Sequence, residues 1–254
     1  MMGDFWLDIG LWVAFFGIAA LYSSVGFGGG SSYLAIMALA GVPFIPMRAL
    51  ALLCNIAVVS TNVLSYLRRN LIDGKRALPI VAAGVPMAFV GGSLRMEERQ
   101  FFLILGWTLL ITSLALLVQR RPSHLPQRRL SPLLLFLIGG LVGFLSGMVG
   151  IGGGIFLSPI LYLMRWDSPH RIAAMSSLYI LANSVAGLLG QAFNPMFYLP
   201  LRPTLLLLIA VLAGSALGRR LSFRLLRPSH LRIITALLIA VVALRLLWRS
   251  YSDG

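Results

Sequence analysis

Long apolar stretches, separated by short polar or proline-containing segments, run along almost the whole chain. Six of them have the length of a membrane-spanning helix, about 20 residues. Their ranges are 46–67, 77–94, 101–118, 170–192, 201–218 and 231–248. Two others, 5–40 and 132–164, are much longer, and each is interrupted by a cluster of glycines. The pattern predicts an all-α polytopic membrane protein in which two of the hydrophobic segments are broken.

Composition supports this class. Hydrophobic residues make up 59% of the chain and charged residues only 11%, whereas charged residues are about 25% of a soluble globular domain. The mean hydropathy is +0.91. A soluble fold of 254 residues would have to bury all of these apolar segments at once. We therefore exclude a soluble globular domain.

Basic residues strongly outnumber acidic ones, and the formal net charge is +14. A nucleic-acid-binding domain would gather this charge on one face, but here it lies mostly in short loops between apolar segments. Cytoplasmic loops of inner-membrane proteins carry such an excess of Lys and Arg. We expect a multi-pass protein of the inner (plasma) membrane, embedded in the lipid bilayer, with cytoplasmic basic loops and no nucleic-acid partner.

The glycine clusters are two copies of one motif. Val-Gly-x-Gly-Gly-Gly begins at Val25 and again at Val149. Each copy is followed by a short apolar arm, a proline-containing loop and an arginine, Arg48 or Arg171, at the start of the next segment. Internal repeats with interrupted segments at matching places indicate a transporter binding site. The sequence predicts two membrane repeats, 1–118 and 132–254, joined by a basic cytoplasmic linker at 119–131.

The broken segments are too long for a simple crossing. A helix over 5–40 would be about 54 Å long, against a hydrocarbon core of about 30 Å. If both segments turn back as re-entrant hairpins, most Lys and Arg residues fall on one side, whereas single crossings divide them almost evenly. The positive-inside rule therefore favours hairpins. Each half then has a hairpin plus three transmembrane helices, so the halves are inverted repeats and both termini lie outside.

A helix broken inside a membrane frees backbone N–H groups that need a partner. Successive glycines can form an anion-binding nest, and a helix starting after them adds its positive dipole end. Two such ends suit a small oxyanion. The alternative is that the glycines only allow close helix packing, as small residues often do in membranes.

The motif resembles the TauE/SafE family, also called the sulfite exporter or 4-toluenesulfonate uptake permease family. The sharper match is the second copy, GFLSGMVGIGGGIFLSPIL at 143–161, with Ala174-Met175-Ser176-Ser177, Asn183-Ser184 and Gly187. The first copy lacks a proline at the position equivalent to Pro159. The resemblance implies a membrane transporter, an exporter or permease for sulfite, organosulfonates or related sulfur-containing anions.

Candidate substrate-binding residues lie at the breaks and about two turns into the following segments. They are Gly26, Gly28, Gly29, Gly30, Ser31, Asn55, Gly150, Gly152, Gly153, Gly154, Ser176, Ser177 and Asn183. Neutral donors can hold an anion in a membrane without a large desolvation cost. Ordinary helix–helix hydrogen bonding is the alternative. Arg48 and Arg171 either guide anions towards the site or serve topology and lipid headgroups.

Other classes of function leave no trace in the sequence. The single cysteine, Cys54, permits neither an internal disulfide nor a cysteine-based metal cluster. Acidic residues and histidines fall in loops or at segment ends, so no acid pair or Ser/His arrangement lies at membrane depth. We predict no enzyme activity, no cofactor and no metal site. A carrier for another small anion or ion, or a non-transporting membrane scaffold, remains as an alternative.

Overall fold

The computed structural model of the chain describes residues 2–24, 28–118, 128, 130–221 and 228–252. Within these ranges the regular structure is helical, as predicted, with no strand. The ten helices of the described ranges are α1 Met2–Ser24, α2 Gly30–Leu39, α3 Phe44–Arg68, α4 Gly74–Ser93, α5 Glu98–Val118, α6 Pro132–Val149, α7 Gly154–Leu163, α8 Pro169–Ala192, α9 Leu201–Leu221 and α10 Pro228–Ser252. Most of the predicted linker lies outside the described residues.

Both long apolar segments are broken where the glycines predicted. α1 ends at Ser24 before α2 begins at Gly30, and α6 ends at Val149 before α7 begins at Gly154. The residues before the two short helices, Gly29 and Gly153, have φ of +90° and +81°. A residue with a Cβ is strained in this left-handed region, so glycine is the residue that can end one helix and begin the next here.

The internal repeat extends from the motif to the helices that follow. α2 and α7 are each ten residues long, and they begin at equivalent glycines of the two motifs. Each is followed by a short loop and then by a long helix, α3 or α8. The two halves therefore have the same order of elements: a long helix, a short helix and three further long helices.

The two halves are interleaved, which the sequence did not predict. Contacts of α6 with α4, and of α1 with α9, are the most extensive between helices, so the first helix of each half packs on the fourth helix of the other. Gly139, Gly143 and Gly147 of α6 lie so close to α4 that any added Cβ would collide with its carbonyl oxygens. Gly214 and Gly218 of α9 do the same against α1. Small residues every fourth position allow this close approach.

The contacts also give the relative directions of the helices in the second half. α6 runs parallel to α4, because Gly139 meets Ile80 and Gly147 meets Ala88. α8 also runs parallel to α4, with Gly92 against Gly187 nearer their C-terminal ends and Gly84 against Tyr179 further back. α7 runs opposite to α8: its first residue lies beside Ile180, and the Tyr162 hydroxyl near its end donates to the Pro169 carbonyl (3.3 Å). The chain thus reverses direction after α6.

Two pairs of equivalent helices, α3 with α8 and α5 with α10, pack antiparallel on each other. In the α3–α8 pair, a Cβ on Gly187 would lie 3.4 Å from Leu52, while Arg48 near the start of α3 shares a cavity with Gln191 near the end of α8. In the α5–α10 pair, Gly106 contacts Leu247, and Ser113 donates to the Ala236 carbonyl (2.8 Å).

Six helices of the described residues are long and apolar enough to cross a membrane. They are α3, α4, α5, α6, α8 and the Leu201–Arg220 part of α9. In five of these six helices, half or more of the residues in the most apolar part are not buried in the protein. The exception is α8, where most of them are buried. Exposed large apolar side chains on these helices, including Leu78, Ile111 and Leu141, suit a lipid environment. The chain is a multi-pass membrane protein.

Candidate functional site

Asn55 lies between the two helix breaks. Its side chain is fully buried, and its Nδ2 donates to the Ile151 carbonyl inside the second break (2.8 Å). On the other side it lies against Gly28 and Gly30 of the first break, where any Cβ would collide with its amide. A Cβ on Gly30 would also lie 2.7 Å from the Ile151 carbonyl oxygen. The two breaks, 124 residues apart in the sequence, therefore meet around one asparagine.

Glycine is required on the second break as well, for reasons of space. A Cβ on Gly152 would lie 2.7 Å from the Ser184 hydroxyl and 3.0 Å from Asn55 Nδ2. The absence of a side chain on Gly28, Gly30 and Gly152 thus leaves the backbone of both breaks next to polar atoms. This close approach is more than helix packing needs, because these residues lie outside or at the very start of the helices.

Several buried polar atoms around this point have no hydrogen-bond partner. They are Asn55 Oδ1 and the hydroxyl oxygens of Ser31, Ser176 and Ser184. The four side chains are at most 1% exposed. Buried polar groups almost always have partners, and each exception calls for an explanation such as a bound ligand or water. Asn55 Oδ1 and the Ser184 hydroxyl lie against Gly28 and Gly152 of the breaks, which makes this point a candidate polar binding site in the core.

Two helix N-termini open onto the same region. α2 begins at Gly30, beside Asn55, and α7 begins at Gly154, where a Cβ would lie 3.2 Å from the Ser176 carbonyl. Neither N-terminus is capped by a side chain. Free N–H groups and the positive dipole end make such termini ready anion sites. The site therefore combines two positive helix ends with neutral hydroxyl and amide groups.

The structure places the other predicted residues differently. Gly29 packs against Ile18 and Tyr33, Gly153 against Tyr179 and Ser146, and Gly150 against the backbone of Arg48. The Ser177 hydroxyl donates to the Ala173 carbonyl of its own helix (2.9 Å). Asn183, next to Ser184 in α8, is buried, and its Oδ1 and Nδ2 also have no hydrogen-bond partner. Gly26 lies outside the described residues.

Two residues that were not among the predicted site residues belong to this region. Ser184 lies on the same face of α8 as Ile180 and Gly187, a spacing of four and three residues that the sequence does contain. Tyr179 occupies the place in the second half that Asn55 has in the first. Its hydroxyl donates to the Gly139 carbonyl (2.5 Å), and its ring lies against Gly84 and Gly153. The site is therefore asymmetric, with one asparagine serving both breaks.

Arg48 lies at one end of the α3–α8 pair. Its side chain is 4% exposed, and its Nη2 reaches the carbonyls of Gly147 (3.3 Å) and Gly92 (3.5 Å). Its guanidinium carbon lies 5.9 Å from the centre of the Phe101 ring. No described carboxylate lies within 4.0 Å of it. Among the described residues, this buried cation is contacted by long hydrogen bonds to carbonyl groups and by the Phe101 ring.

Arg171 lies at the opposite end, in a cluster with acid. It is 3.9 Å from Asp167, which also forms an ion pair with Arg76. Arg76 donates to the Trp166 carbonyl (2.7 Å) and lies over the Trp166 ring at 4.4 Å. These contacts bring the α3–α4 loop and the α7–α8 loop to the same end of the bundle. Among the described residues, no group of three or more His, Cys, Asp or Glu residues could hold a metal ion.

The helical bundle, its six candidate spans and its paired helix breaks define a multi-pass membrane protein built on a transporter plan. A family model described as "Sulfite exporter TauE/SafE" matches residues 11–246. The chain belongs to the TauE/SafE family, a family of membrane transporters, as the sequence motifs predicted.

Relatives agree with this assignment. A probable membrane transporter protein of Sinorhizobium fredii, y4hK, is 34% identical over 247 residues, or 94% of this chain and 98% of the relative. A probable membrane transporter protein of Bacillus subtilis, YjnA, is 26% identical over 250 residues, or 91% and 96%. One of Methanocaldococcus jannaschii, MJ0441, is 33% identical over 119 residues, less than half of either chain. No solved structure matches the chain significantly.

Proposed function

We propose that the protein transports small oxyanions, with sulfur-containing anions such as sulfite or organosulfonates as the first candidates, and that the anion binds where the two helix breaks meet. The observation that carries the proposal is the position of Asn55. Its side chain joins both breaks, and its Oδ1 and the Ser184 hydroxyl beside Gly152 have no hydrogen-bond partner. The family name supplies the sulfur chemistry.

The chemistry of the site favours an anion over a cation. An anion needs donors, and the region offers hydroxyl groups and the N-termini of α2 and α7. Asn55 contributes by joining the breaks, because its Nδ2 donates to the Ile151 carbonyl and its Oδ1 is an acceptor. A cation would use carbonyl oxygens freed by the breaks, but the Ile151 carbonyl already accepts from Asn55. Neutral donors also hold the anion weakly enough to release it, because no fixed opposite charge has to be separated from it.

We also propose that the two halves are inverted repeats and that α1–α2 and α6–α7 are re-entrant hairpins. The reversal of direction after α6 and the antiparallel α3–α8 pair support this arrangement. So does the Arg76–Asp167 ion pair, because a single crossing at each break would put these two residues on opposite sides of the membrane. The basic residues near Arg76 and Arg171 are then cytoplasmic, and Arg48 lies on the outer side.

Flux of sulfite, thiosulfate, sulfate and taurine in proteoliposomes tests the proposed transport. We expect the flux of at least one sulfur-containing anion to exceed its flux in empty vesicles. Asn55→Leu should abolish this flux, since it removes the amide that joins both breaks. Ser60→Ala is the matched control: Ser60 is also on α3, but its hydroxyl is exposed and donates to Ile56 of the same helix. Absence of flux for every anion would contradict a transporter of these substrates.

Asn55→Asp separates anion from cation transport. The substitution preserves the shape of the side chain, replaces the N–H that donates to the Ile151 carbonyl by an oxygen, and adds a negative charge between the breaks. Anion flux should fall at least tenfold, because like charges repel strongly in a low dielectric. If the site carries a cation instead, the added carboxylate should maintain or increase flux.

Labelling of single cysteines tests the topology. Asn70→Cys and Met196→Cys lie in exposed positions at the two ends of the bundle, and the native Cys54 is fully buried. A membrane-impermeant maleimide added to intact cells should label position 196 and spare position 70 until the membrane is opened. Labelling of both positions from outside would contradict the inverted arrangement.

A further inference from the structure

A cavity of about 40 Å³ lies beside the start of α3. By the usual measure of about 10–15 Å³ per water-sized probe, it has room for a few waters or one small ion. Its lining contains two arginines and no acid. The lining residues are Phe44, Ile45, Arg48, Arg95, Met96, Gln191, Asn194, Met196 and Phe197. Arg95 and Met196 are exposed, whereas Arg48 and Gln191 are buried.

Two donors in this cavity have no acceptor. Arg48 Nε and Gln191 Nε2 are both buried without a hydrogen-bond partner, and both side chains are 4% exposed. Removing a guanidinium from water without a counterion is costly. Glu97 and Glu98 follow Arg95 in the sequence, but both are exposed and do not line the cavity. An acceptor with negative charge would satisfy both donors and the charge of Arg48.

The cavity lies along the same faces of α3 and α8 as the site at the breaks, about two helical turns away. Arg48 and Asn55 are seven residues apart on α3, and Gln191 and Ser184 are seven residues apart on α8. Seven residues are about two helical turns, so each pair shares one face and its members lie about 10 Å apart. Because α3 and α8 are antiparallel, Arg48 faces Gln191 at one level while Asn55 and Ser184 flank Gly152 at the next.

We propose that this cavity is a second anion-binding site, in which Arg48 and Gln191 hold a small oxyanion on its way to or from Asn55. The guanidinium supplies the charge and a fork of donors, which match the oxygens of sulfite, sulfate or a phosphate group. Binding itself follows from the cavity alone. The role as an access site for transport rests on the proposed function.

Thermal unfolding of the purified protein in detergent tests binding. Sulfate and sulfite are titrated at constant ionic strength, with chloride as the balancing anion. The unfolding midpoint should rise with oxyanion for the wild type, because a ligand that binds the folded state stabilises it. Arg171→Gln, the same substitution at the acid-paired arginine, should retain this rise, and Arg48→Gln should lose it. An equal rise for Arg48→Gln would overturn the proposal.

Gln191→Met is a second variant that tests the cavity even if Arg48→Gln does not fold. It preserves the volume and removes only the amide, so the midpoint without oxyanion should stay close to the wild-type value. The apparent Kd for sulfate should rise several-fold. Unchanged sulfate affinity would mean that Gln191 does not bind the anion. Arg48→Lys should retain part of the affinity, because the charge remains while the fork of donors is lost.

A lipid headgroup phosphate has the same chemistry as a free oxyanion, and nanodiscs distinguish the two. If phosphatidylglycerol raises the apparent Kd for sulfate relative to phosphatidylcholine in the wild type but not in Arg48→Gln, the site exists and its occupant is the headgroup. If lipid composition has no effect and sulfate still requires Arg48, the occupant is the free anion.

Flux separates this proposal from the proposed function. In proteoliposomes, Arg48→Gln should raise the KM for the transported anion about tenfold, whereas Asn55→Leu should remove transport. Wild-type flux with an unchanged KM in Arg48→Gln would overturn the access site and leave the transporter intact. A midpoint shift that requires Arg48, with no flux of any anion, would support anion binding in the cavity and contradict the proposed transport.

Discussion

Arg48 and Arg171 come from similar places in the two halves, since each lies in the first two turns of the long helix that follows a broken segment. They are one residue out of the 124-residue register of the motif, in which Arg48 matches Ile172 and Arg171 matches Met47. Their surroundings differ. Arg171 has 43% of its side chain exposed and lies near Asp167, which also pairs with Arg76. Arg48 is almost completely buried, and its hydrogen bonds within the described residues go only to carbonyl oxygens, with the Phe101 ring beside the guanidinium.

The difference shows how two copies of one motif can serve different purposes. An arginine with an acid and water beside it is satisfied, so it has little affinity for a further anion. An arginine in a small cavity with unpartnered donors is available to one. If the halves are inverted, these two environments lie on opposite sides of the membrane. The transporter would then meet its substrate anion differently from each side.

The largest effect should come from making the Arg48 end resemble the Arg171 end. Gln191→Glu places a carboxylate in the cavity beside Arg48. This internal partner should compete with the substrate anion and raise its KM at least tenfold, equivalent to about 1.4 kcal/mol. Proteoliposome flux measures the KM, and the unfolding midpoint should not fall. An unchanged KM would mean that the substrate does not meet Arg48.

A smaller effect should come from making the Arg171 end resemble the Arg48 end, which has no acid. Asp167→Asn removes the acid that Arg76 and Arg171 share, and Asp167 is only 5% exposed. Loss of charge-assisted hydrogen bonds of this kind costs about 1–3 kcal/mol, so the unfolding midpoint should fall. Glu97→Gln, at an exposed acid, is the control and should leave the midpoint unchanged. Equal midpoints for both variants would show that the cluster contributes nothing to stability.

The smallest effect should come from Arg171→Ala. An ion pair at 3.9 Å with a half-exposed arginine contributes at most about 1 kcal/mol, and Asp167 still has Arg76 as a partner. Flux should stay within twofold of the wild type and the midpoint nearly constant. A large loss of flux would indicate that Arg171 contacts the anion and that the two ends are functionally alike.

The breaks could be predicted from the sequence because their cause is local. Glycines at positive φ end one helix and begin the next, as at Gly29 and Gly153, and the repeat of the motif marked both. Asn55 was selected for its distance from the first break, two turns into the next helix. The structure adds that it reaches the second break as well, through the Ile151 carbonyl.

Other features depend on contacts between residues far apart in the sequence. Ser184 and Gln191 share a face of α8, but only packing against α3 brings that face to the breaks and the cavity. The glycines of α6 looked like ordinary small residues of a membrane helix, and their role depends on α4 lying directly against them. Tyr179 lies at the place equivalent to Asn55. The hydrogen bond from its hydroxyl to the Gly139 carbonyl could not be predicted, because it depends on the position of α6.

The sequence by itself determined the class of protein, the positions of the breaks and the repeat, because hydrophobicity, glycine conformation and motif spacing act within short stretches of chain. Only the tertiary structure decided that both breaks meet at Asn55, that the halves are interleaved, and that one arginine is neutralised while its counterpart is not. The physical reason is that burial and pairing of charge depend on which helices become neighbours. That choice is made by the packing of all the helices together.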